Sequence, residues 1–559
     1  MSDEFLVYRL GENKDNRLRD IVSTIQAEQD QIIRAAKNTA LIIQGVAGSG
    51  KTTVALHRLA FLLYQYKEQI QAERMIIFAP NHMFIDYISE VLPELGVGDI
   101  QQSTFPDWAA EVLGLEHPPA TSQSDLRRWF DAVRTEPVPE SELPGRFKGS
   151  MRFKAVIDTF LDDMEALCVP KIDFEPWEGT KLPYAEILAW FEGEYKHYPV
   201  ARRKERVLAR LHRWIEMELK KAPSAAQLKE WKKKAQQREK AYAKKWPELT
   251  PLSLYEELFQ LKKRGSMGLP DMSVDIPPAI WKETNSSLKK GIVKEEDLAP
   301  LLYLYTRIHE IEGKMTFDHV VIDEAQDFSP FQVAVLDQFV KGHSFTILGD
   351  LSQGIHYYKG VRDWHEMQEL FHSEETAYFA LTRSYRSTME IISFGNEILA
   401  KGVGTELLAV PVFRSGEPVR LLSAAGTERS GAIKEVLKAV LKGSYRTTAL
   451  LTRTLQDASE LHELLVQDGI EAHLIDGSSD QYEGGISVLP AYLSKGLEFD
   501  SVIVTDVDRE HYSQEDAKLL YVGCTRALHE LWLLHGDELP DYVITEDSEM
   551  VMNVARPLP

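Results

Sequence analysis

Gly45-Val46-Ala47-Gly48-Ser49-Gly50-Lys51-Thr52 lies between a short apolar run, Leu41 to Ile43, and a periodic segment that continues to Tyr66. Strand, glycine-rich loop and helix in that order make a phosphate-binding loop. The glycines let backbone N–H groups curl toward an anion, and the following helix presents its N-terminus to the same charge. Gly45, Gly48, Ser49, Gly50, Lys51, Thr52 and Thr53 are the candidate contacts. Lys51 suits β- and γ-phosphates, and the Thr52 hydroxyl suits Mg²⁺.

A second stretch supplies the carboxylates such a site needs. Val320-Val321-Ile322-Asp323-Glu324-Ala325-Gln326-Asp327 reads as a buried strand ending in an acidic pair. Asp323 can hold the metal, and Glu324 can position and activate an attacking water. A nucleotide with Mg²⁺ is the expected ligand pair. Similar apolar runs recur at 75–78, 345–348, 449–451 and 502–504, each followed by turn residues and a helical pattern. Strands alternating with helices predict α/β domains with parallel sheets.

Composition narrows the setting. The 559 residues carry 64 Lys+Arg against 86 Asp+Glu, a net charge of −22, unlike a passive coat for duplex DNA. At 44% hydrophobic and 27% charged, the chain is not a disordered one. Two distant cysteines, Cys168 and Cys524, exclude a disulfide scaffold or a Cys-built metal site and suit a reducing compartment. No apolar run nears the ~20 residues that span a bilayer. The acidic N-terminus lacks a signal-peptide pattern, so a cytoplasmic protein without membrane association is expected. From about Pro118 to Pro300 the alternation gives way to long helical patterns. Within them, 201–246 carries a net +11, leaving −33 for the remainder. Such a stretch fits either a solvated helical hairpin or a binding surface.

Taken together, the phosphate loop and the Asp-Glu-Ala-Gln-Asp stretch resemble superfamily 1 helicases of the UvrD/Rep type, and further motifs follow in the family's order. Gln29 stands where that family reads adenine. Gln353, in Gly349-Asp350-Leu351-Ser352-Gln353, resembles its γ-phosphate sensor. Ser384-Tyr385-Arg386-Ser387 resembles the motif with an adenine-stacking tyrosine and a first arginine finger. Lys495-Gly496-Leu497-Glu498-Phe499 resembles the coupling motif, whose glutamate meets the nucleotide sugar. Arg526, in Tyr521-Val522-Gly523-Cys524-Thr525-Arg526-Ala527, resembles the second arginine finger. The resemblance implies ATP as the nucleotide, and Lys51, Asp323, Glu324, Gln353, Arg386 and Arg526 as catalytic residues. It also implies strand contacts at Tyr358, Tyr492 and the Thr104-Phe105 pair. Arg453 is a weaker strand candidate.

Two departures separate the chain from UvrD and Rep. Only 109 positions separate Arg386 from Lys495, too few for a full second domain plus their large insertion, and Tyr492 replaces the histidine before the coupling lysine. Both features resemble the HelD branch, which remodels bacterial RNA polymerase on DNA. In that branch a helical arm grows from the first motor domain. The chain begins only about 40 residues before the loop, with no room for the branch's N-terminal coiled coil. The implied architecture is two RecA-like domains with a mainly helical insertion in the first. The expected bounds are 1–36 for the segment carrying Gln29, 37–117 and 301–375 for the first domain, 118–300 for the arm, and 376–559 for the second domain. Single-stranded DNA and RNA polymerase are the expected partners of a monomeric ATPase. A directly unwinding repair helicase, or an ATP-switched polymerase clamp that does not travel, are the alternatives.

Overall fold

Uninterrupted apolar strands form the centre of each sheet because both sheets are parallel and covered on both faces. The computed structural model describes residues 28–117, 119, 123–134, 136–165, 168–247, 249–260, 275–412, 414–424, 428–443, 445–477, 484–536 and 538–554. The expected segment 1–36 therefore lies largely outside the described residues.

The first sheet has six strands: β1 (Ala40–Gly45), β2 (Met75–Phe78), β3 (Gln101–Ser103), β4 (His319–Ile322), β5 (Phe345–Gly349) and β6 (Thr376–Leu381). Their order is β3-β2-β4-β5-β1-β6, and every pairing is parallel. Residues of β1, β2, β4 and β5 are buried throughout. Helix α1 (Lys51–Gln65) leaves β1 through Gly50 at φ 74° and packs Val54, Leu59 and Leu62 on one face. The other face is covered by α2 (Phe105–Leu113) and by helices within residues 147–161, 251–258 and 278–308. The C-terminal ends of the adjacent strands β4, β5 and β1 carry Asp323-Glu324, Asp350-Gln353 and the phosphate loop. In an open parallel sheet, that edge is where ligands bind.

The second sheet has seven strands: β7 (Val419–Ser423), β8 (Thr447–Thr452), β9 (His473–Leu474), β10 (Gly485–Pro490), β11 (Phe499–Val504), β12 (Ala527–His535) and β13 (Val551–Val554). They lie in the order β9-β10-β8-β11-β12-β7-β13, again all parallel. Two parallel α/β domains are thus present, as the alternating pattern predicted.

Two domain boundaries need correction. The first domain runs past residue 375, because β6 pairs along the whole of β1. The span 118–300 is also not one arm. Residues 168–246 have a hydrophobic core of their own, built on a short hairpin (Phe174–Trp177 with Thr180–Leu182) and the helices Val200–Leu219 and Ala225–Ala243. Trp177 and Trp231 stack at 4.7 Å within it. Residues 147–161, 254–259 and 276–304 instead belong to the first domain's core. The helix α3 (Gln123–Phe130) and Leu143 join the second domain, where Phe130 packs with Tyr492. Apolar faces follow whichever sheet leaves surface uncovered, and chain position alone does not tell which.

Candidate nucleotide site and strand path

The phosphate loop is held open by its neighbours. Val46 N–H donates to Leu381 C=O at 3.0 Å, and Ser384 Oγ donates to Ala47 C=O at 2.7 Å. Gly48 has φ 73°, and a Cβ there would sit 2.5 Å from the Cβ of Arg386. Only glycine allows the second domain's Ser384-Tyr385-Arg386 to come this close. Tyr385 N–H donates to Gly48 C=O, so the two motifs share a backbone hydrogen bond.

Carboxylates and hydroxyl meet beneath that loop. Thr52 Oγ1 donates to Asp323 Oδ2 at 2.7 Å, and Lys51 Nζ lies 3.4 Å from Glu324 Oε1. Asp323 is only 1% exposed. Burial and the Glu324 charge push its carboxyl up. Burial acts on Glu324 in the same sense, but Lys51 and Lys495 outweigh it and hold Glu324 far below the ordinary glutamate range. Burial alone would lower the Lys51 ammonium, yet Glu324, Asp323 and Asp350 keep it above its usual value. Glu324 sits at φ 50°, a left-handed backbone that non-glycine residues adopt at a cost and often at working sites.

The second domain closes the cleft with cations. Lys495 Nζ reaches Asp327 Oδ2 at 2.7 Å and Glu324 Oε2 at 3.4 Å. Arg526 donates to Gln353 Oε1 at 2.9 Å, and Gln353 donates to Asp350 Oδ2 at 2.8 Å. Gln44 binds the other Asp350 oxygen at 2.8 Å. Burial and the nearby Arg386 bring Arg526 down to about 10, still charged at neutral pH. Arg386 pairs with Glu498 at 2.6 Å. The structure therefore gathers Lys51, Thr52, Asp323, Glu324, Gln353, Arg386, Glu498 and Arg526 around one cleft, while Thr53 is exposed on α1.

The adenine side is less direct. Gln29 lies on the helical segment 28–34, and Glu28 beside it adds to the effect of burial in raising the half-buried Tyr385 phenol. Buried Arg58 on α1 holds that segment by donating to the carbonyls of Ile32, Ile33, Ala35 and Ala36.

Nucleotide and metal fit these residues. Ser49 Oγ and Asp327 Oδ1 are buried without a hydrogen-bond partner, one able to donate to a phosphate and the other to accept from water. The Thr52–Asp323 oxygen pair has the hard-donor chemistry that Mg²⁺ prefers.

Among the strand candidates, the structure departs from expectation. Phe105 is a core residue, 2% exposed and packed on Phe78, Trp108 and Phe328. Thr104 caps α2, accepting from Asp107 N–H. An apolar ring and a helix cap are satisfied inside the fold, so neither is open to a strand here. Tyr358 and Tyr492 are also buried, beneath Trp129 and Phe130. Arg453 is buried and donates to the carbonyls of Phe130 and His511. Sequence reasoning missed Gln44, Arg58, Gln326, Trp129 and Phe130. Gln326, which donates to Glu324 Oε2 at 2.6 Å, stood two residues from the acidic pair. The others carry no local signal.

Fold and site define two parallel α/β domains around a phosphate-loop cleft, which the second domain lines with Arg386 and Arg526. Residues 29–359, more than half of the chain, match the AAA domain family, and residues 485–534 match the UvrD-like helicase C-terminal domain. The chain belongs to the UvrD-like superfamily 1 helicase family. DNA helicase IV of Escherichia coli is 21% identical, covering 96% of this chain and 71% of that protein. ATP-dependent DNA helicase UvrD1 of Mycobacterium tuberculosis is 25% identical over 192 residues, 32% of this chain and 25% of its own. The chain thus spans about a quarter of that relative's length. A solved C-terminal domain of a possible DNA helicase from Lactobacillus plantarum WCFS1 is 28% identical, with a TM-score of 0.25. It covers 30% of this chain and 98% of its own. Among the described residues no helix is long and apolar enough to cross a membrane.

Proposed function

We propose that the chain hydrolyses ATP to drive motion on single-stranded DNA. The observation that carries this reading is the approach of three second-domain cations to the first domain: Lys495 to Glu324, Arg526 to Gln353 and Arg386 to Gly48 of the phosphate loop. Lys51 and the loop amides would meet the phosphates, and Thr52 with Asp323 would hold Mg²⁺, which supplies charge neutralisation when bound. Glu324 holds the attacking water, with Gln326 and Lys495 both on its Oε2 and Lys51 beside its Oε1. Charge spreading over the γ-phosphoryl oxygens favours arginines drawn inward, so hydrolysis is linked to domain closure. Gln353, bonded to both Arg526 and Asp350, ties the second finger to the first domain. ATPase measured with and without an oligonucleotide tests this. Strand-stimulated turnover is expected, and Lys51→Ala or Glu324→Gln should abolish it. A Glu324→Gln protein that turns over normally refutes the assigned site.

A HelD-type action on RNA polymerase is the second reading. It is favoured by the separately cored unit of residues 168–246, whose helix Ala225–Ala243 exposes Lys229, Lys232, Lys233, Lys240 and Arg238. Co-purification with bacterial RNA polymerase, lost on deleting that unit, is its expected sign.

A further inference from the structure

Two successive side chains of α3 lie on Tyr358 and Tyr492, the two tyrosines expected to contact a strand. The Trp129 ring stacks on Tyr358 with centroids 5.0 Å apart and planes 10° from parallel. The Phe130 ring stacks on Tyr492 at 4.5 Å and 12°. Tyr358 belongs to the loop after Gln353 in the first domain, and Tyr492 to the segment before Lys495 in the second. The pair therefore bridges the cleft. Packed aromatic side chains are often tilted or edge-on, as Trp129–Tyr357 at 88° and Phe130–Tyr358 at 80° are here. Near-parallel faces at this spacing are how a base lies on an aromatic side chain in a single-strand site. The Arg128 guanidinium lies 4.5 Å from the centroid of the same Trp129 ring, which is the other contact such sites offer a base.

The segment is held by the domains it bridges. Tyr357 Oη donates to Trp129 C=O at 3.0 Å. Arg453 donates to Phe130 C=O, Arg134 lies 3.6 Å over the Tyr357 ring, and Arg134 donates to Glu515 C=O at 2.9 Å. A cavity of about 360 Å³, lined by Trp129, Tyr358, Arg128, Lys294 and Lys359, opens beside the first stack. It gives the indole somewhere to go without unfolding α3.

We propose that Trp129 and Phe130 are an internal stand-in for two unpaired bases. They occupy the stacking faces of Tyr358 and Tyr492, and single-stranded DNA engages those tyrosines by displacing them. This inference rests on the strand-motor reading above and adds a competitor to it. The linkage is direct: a site filled by its own chain binds an outside ligand with its apparent Kd raised by the inverse of the fraction of time the site is open.

The test compares wild type with Trp129→Ala/Phe130→Leu, in the full chain, using a fluorescent 20-nucleotide oligo(dT). The variant is expected to bind at least tenfold more tightly, to reach half-maximal ATPase stimulation at correspondingly lower DNA, and to keep its DNA-free ATPase. Equal or weaker binding by a cooperatively folding variant overturns the inference. If wild-type ATPase is strand-stimulated nonetheless, the motor reading stands. If neither protein binds or responds to DNA, both fall. Because Phe130 is buried, wild type is also cross-linked to oligonucleotides carrying 5-iododeoxyuridine. Adducts on Tyr358 or Tyr492 are expected. Adducts confined to Trp129, or to sites elsewhere, overturn the displacement.

Discussion

Lys495 Nζ lies 3.4 Å from Glu324 Oε2, so a lysine of the second domain helps hold the first-domain carboxylate that we propose positions water. The same ammonium holds Asp327 at 2.7 Å. The carboxylate is therefore fully arranged only when the two domains are together.

Lys495→Ala is accordingly expected to reduce kcat by about 10²-fold, the scale of losing one preorganised electrostatic contact, with the KM for ATP within threefold. Lys495→Arg should recover part of the rate. Steady-state ATPase decides, and a raised KM at full kcat would contradict the assignment.

Arg386 and Arg526, the two proposed arginine fingers, should differ in stability though not in rate. Either alanine substitution is expected to cost about 10³-fold in kcat. Arg526 is 1% exposed and hydrogen-bonded to Gln353 and Val522 C=O, so its loss should also destabilise folding by about 2–3 kcal/mol. Arg386 is partly exposed and pairs with Glu498 at the cleft edge, so its loss should stay below about 1 kcal/mol. Urea titrations of the two variants should separate them.

Gly48→Ala is expected to abolish nucleotide binding. The substitution strains a φ of 73° and drives a methyl against Arg386 Cβ and Ser384 Oγ, at 2.5 and 2.8 Å. Titration with a fluorescent ATP analogue should show at least a 10²-fold loss, whereas Gly50→Ala, with no atom within 4 Å, is strained only by its φ of 74°.

Arg58→Met should raise the KM for ATP with little effect on kcat, because it frees the segment that bears Gln29. It also leaves buried carbonyls unpaired and should cost about 3 kcal/mol of stability, visible as a lower Tm.

Acid should loosen α3. Burial alone would raise the Glu283 carboxyl, but hydrogen bonds from Arg128 and Lys294 bring it down to about 2. A depressed pKa stabilises the fold above the unfolded value near 4.5 and loses that contribution as pH falls toward 2. Glu283→Gln is expected to cost about 0.5–1 kcal/mol at pH 7, since the pair is partly solvated, and to converge with wild type by pH 2. Denaturation curves across that range give the answer.

Legibility followed burial and chemistry. Strands β1, β2, β4 and β5 were readable because burial on both faces demands unbroken apolar runs. Edge strand β3 was not, since Gln101-Gln102-Ser103 has no such run. Lys51, Thr52, Asp323 and Glu324 were readable because phosphate and metal chemistry restrict residue type and spacing at once. Phe105 was misread, because a phenylalanine after a threonine looks the same whether it faces a strand or the core. The boundary at 375 failed because β6 finds its partner, β1, more than 300 positions earlier.

By itself, the sequence determined the fold class and the chemical half of the site, since a strand–loop–helix carrying Gly45 to Thr52 and a strand ending in Asp323-Glu324 are local patterns. Tertiary structure decided everything that depends on two distant segments meeting. It put Lys495 against Glu324, Arg526 against Gln353, and Trp129 and Phe130 over Tyr358 and Tyr492. The physical reason is that backbone periodicity reports how one segment is buried, while contact between domains depends on which surfaces remain uncovered after each sheet has packed its own helices.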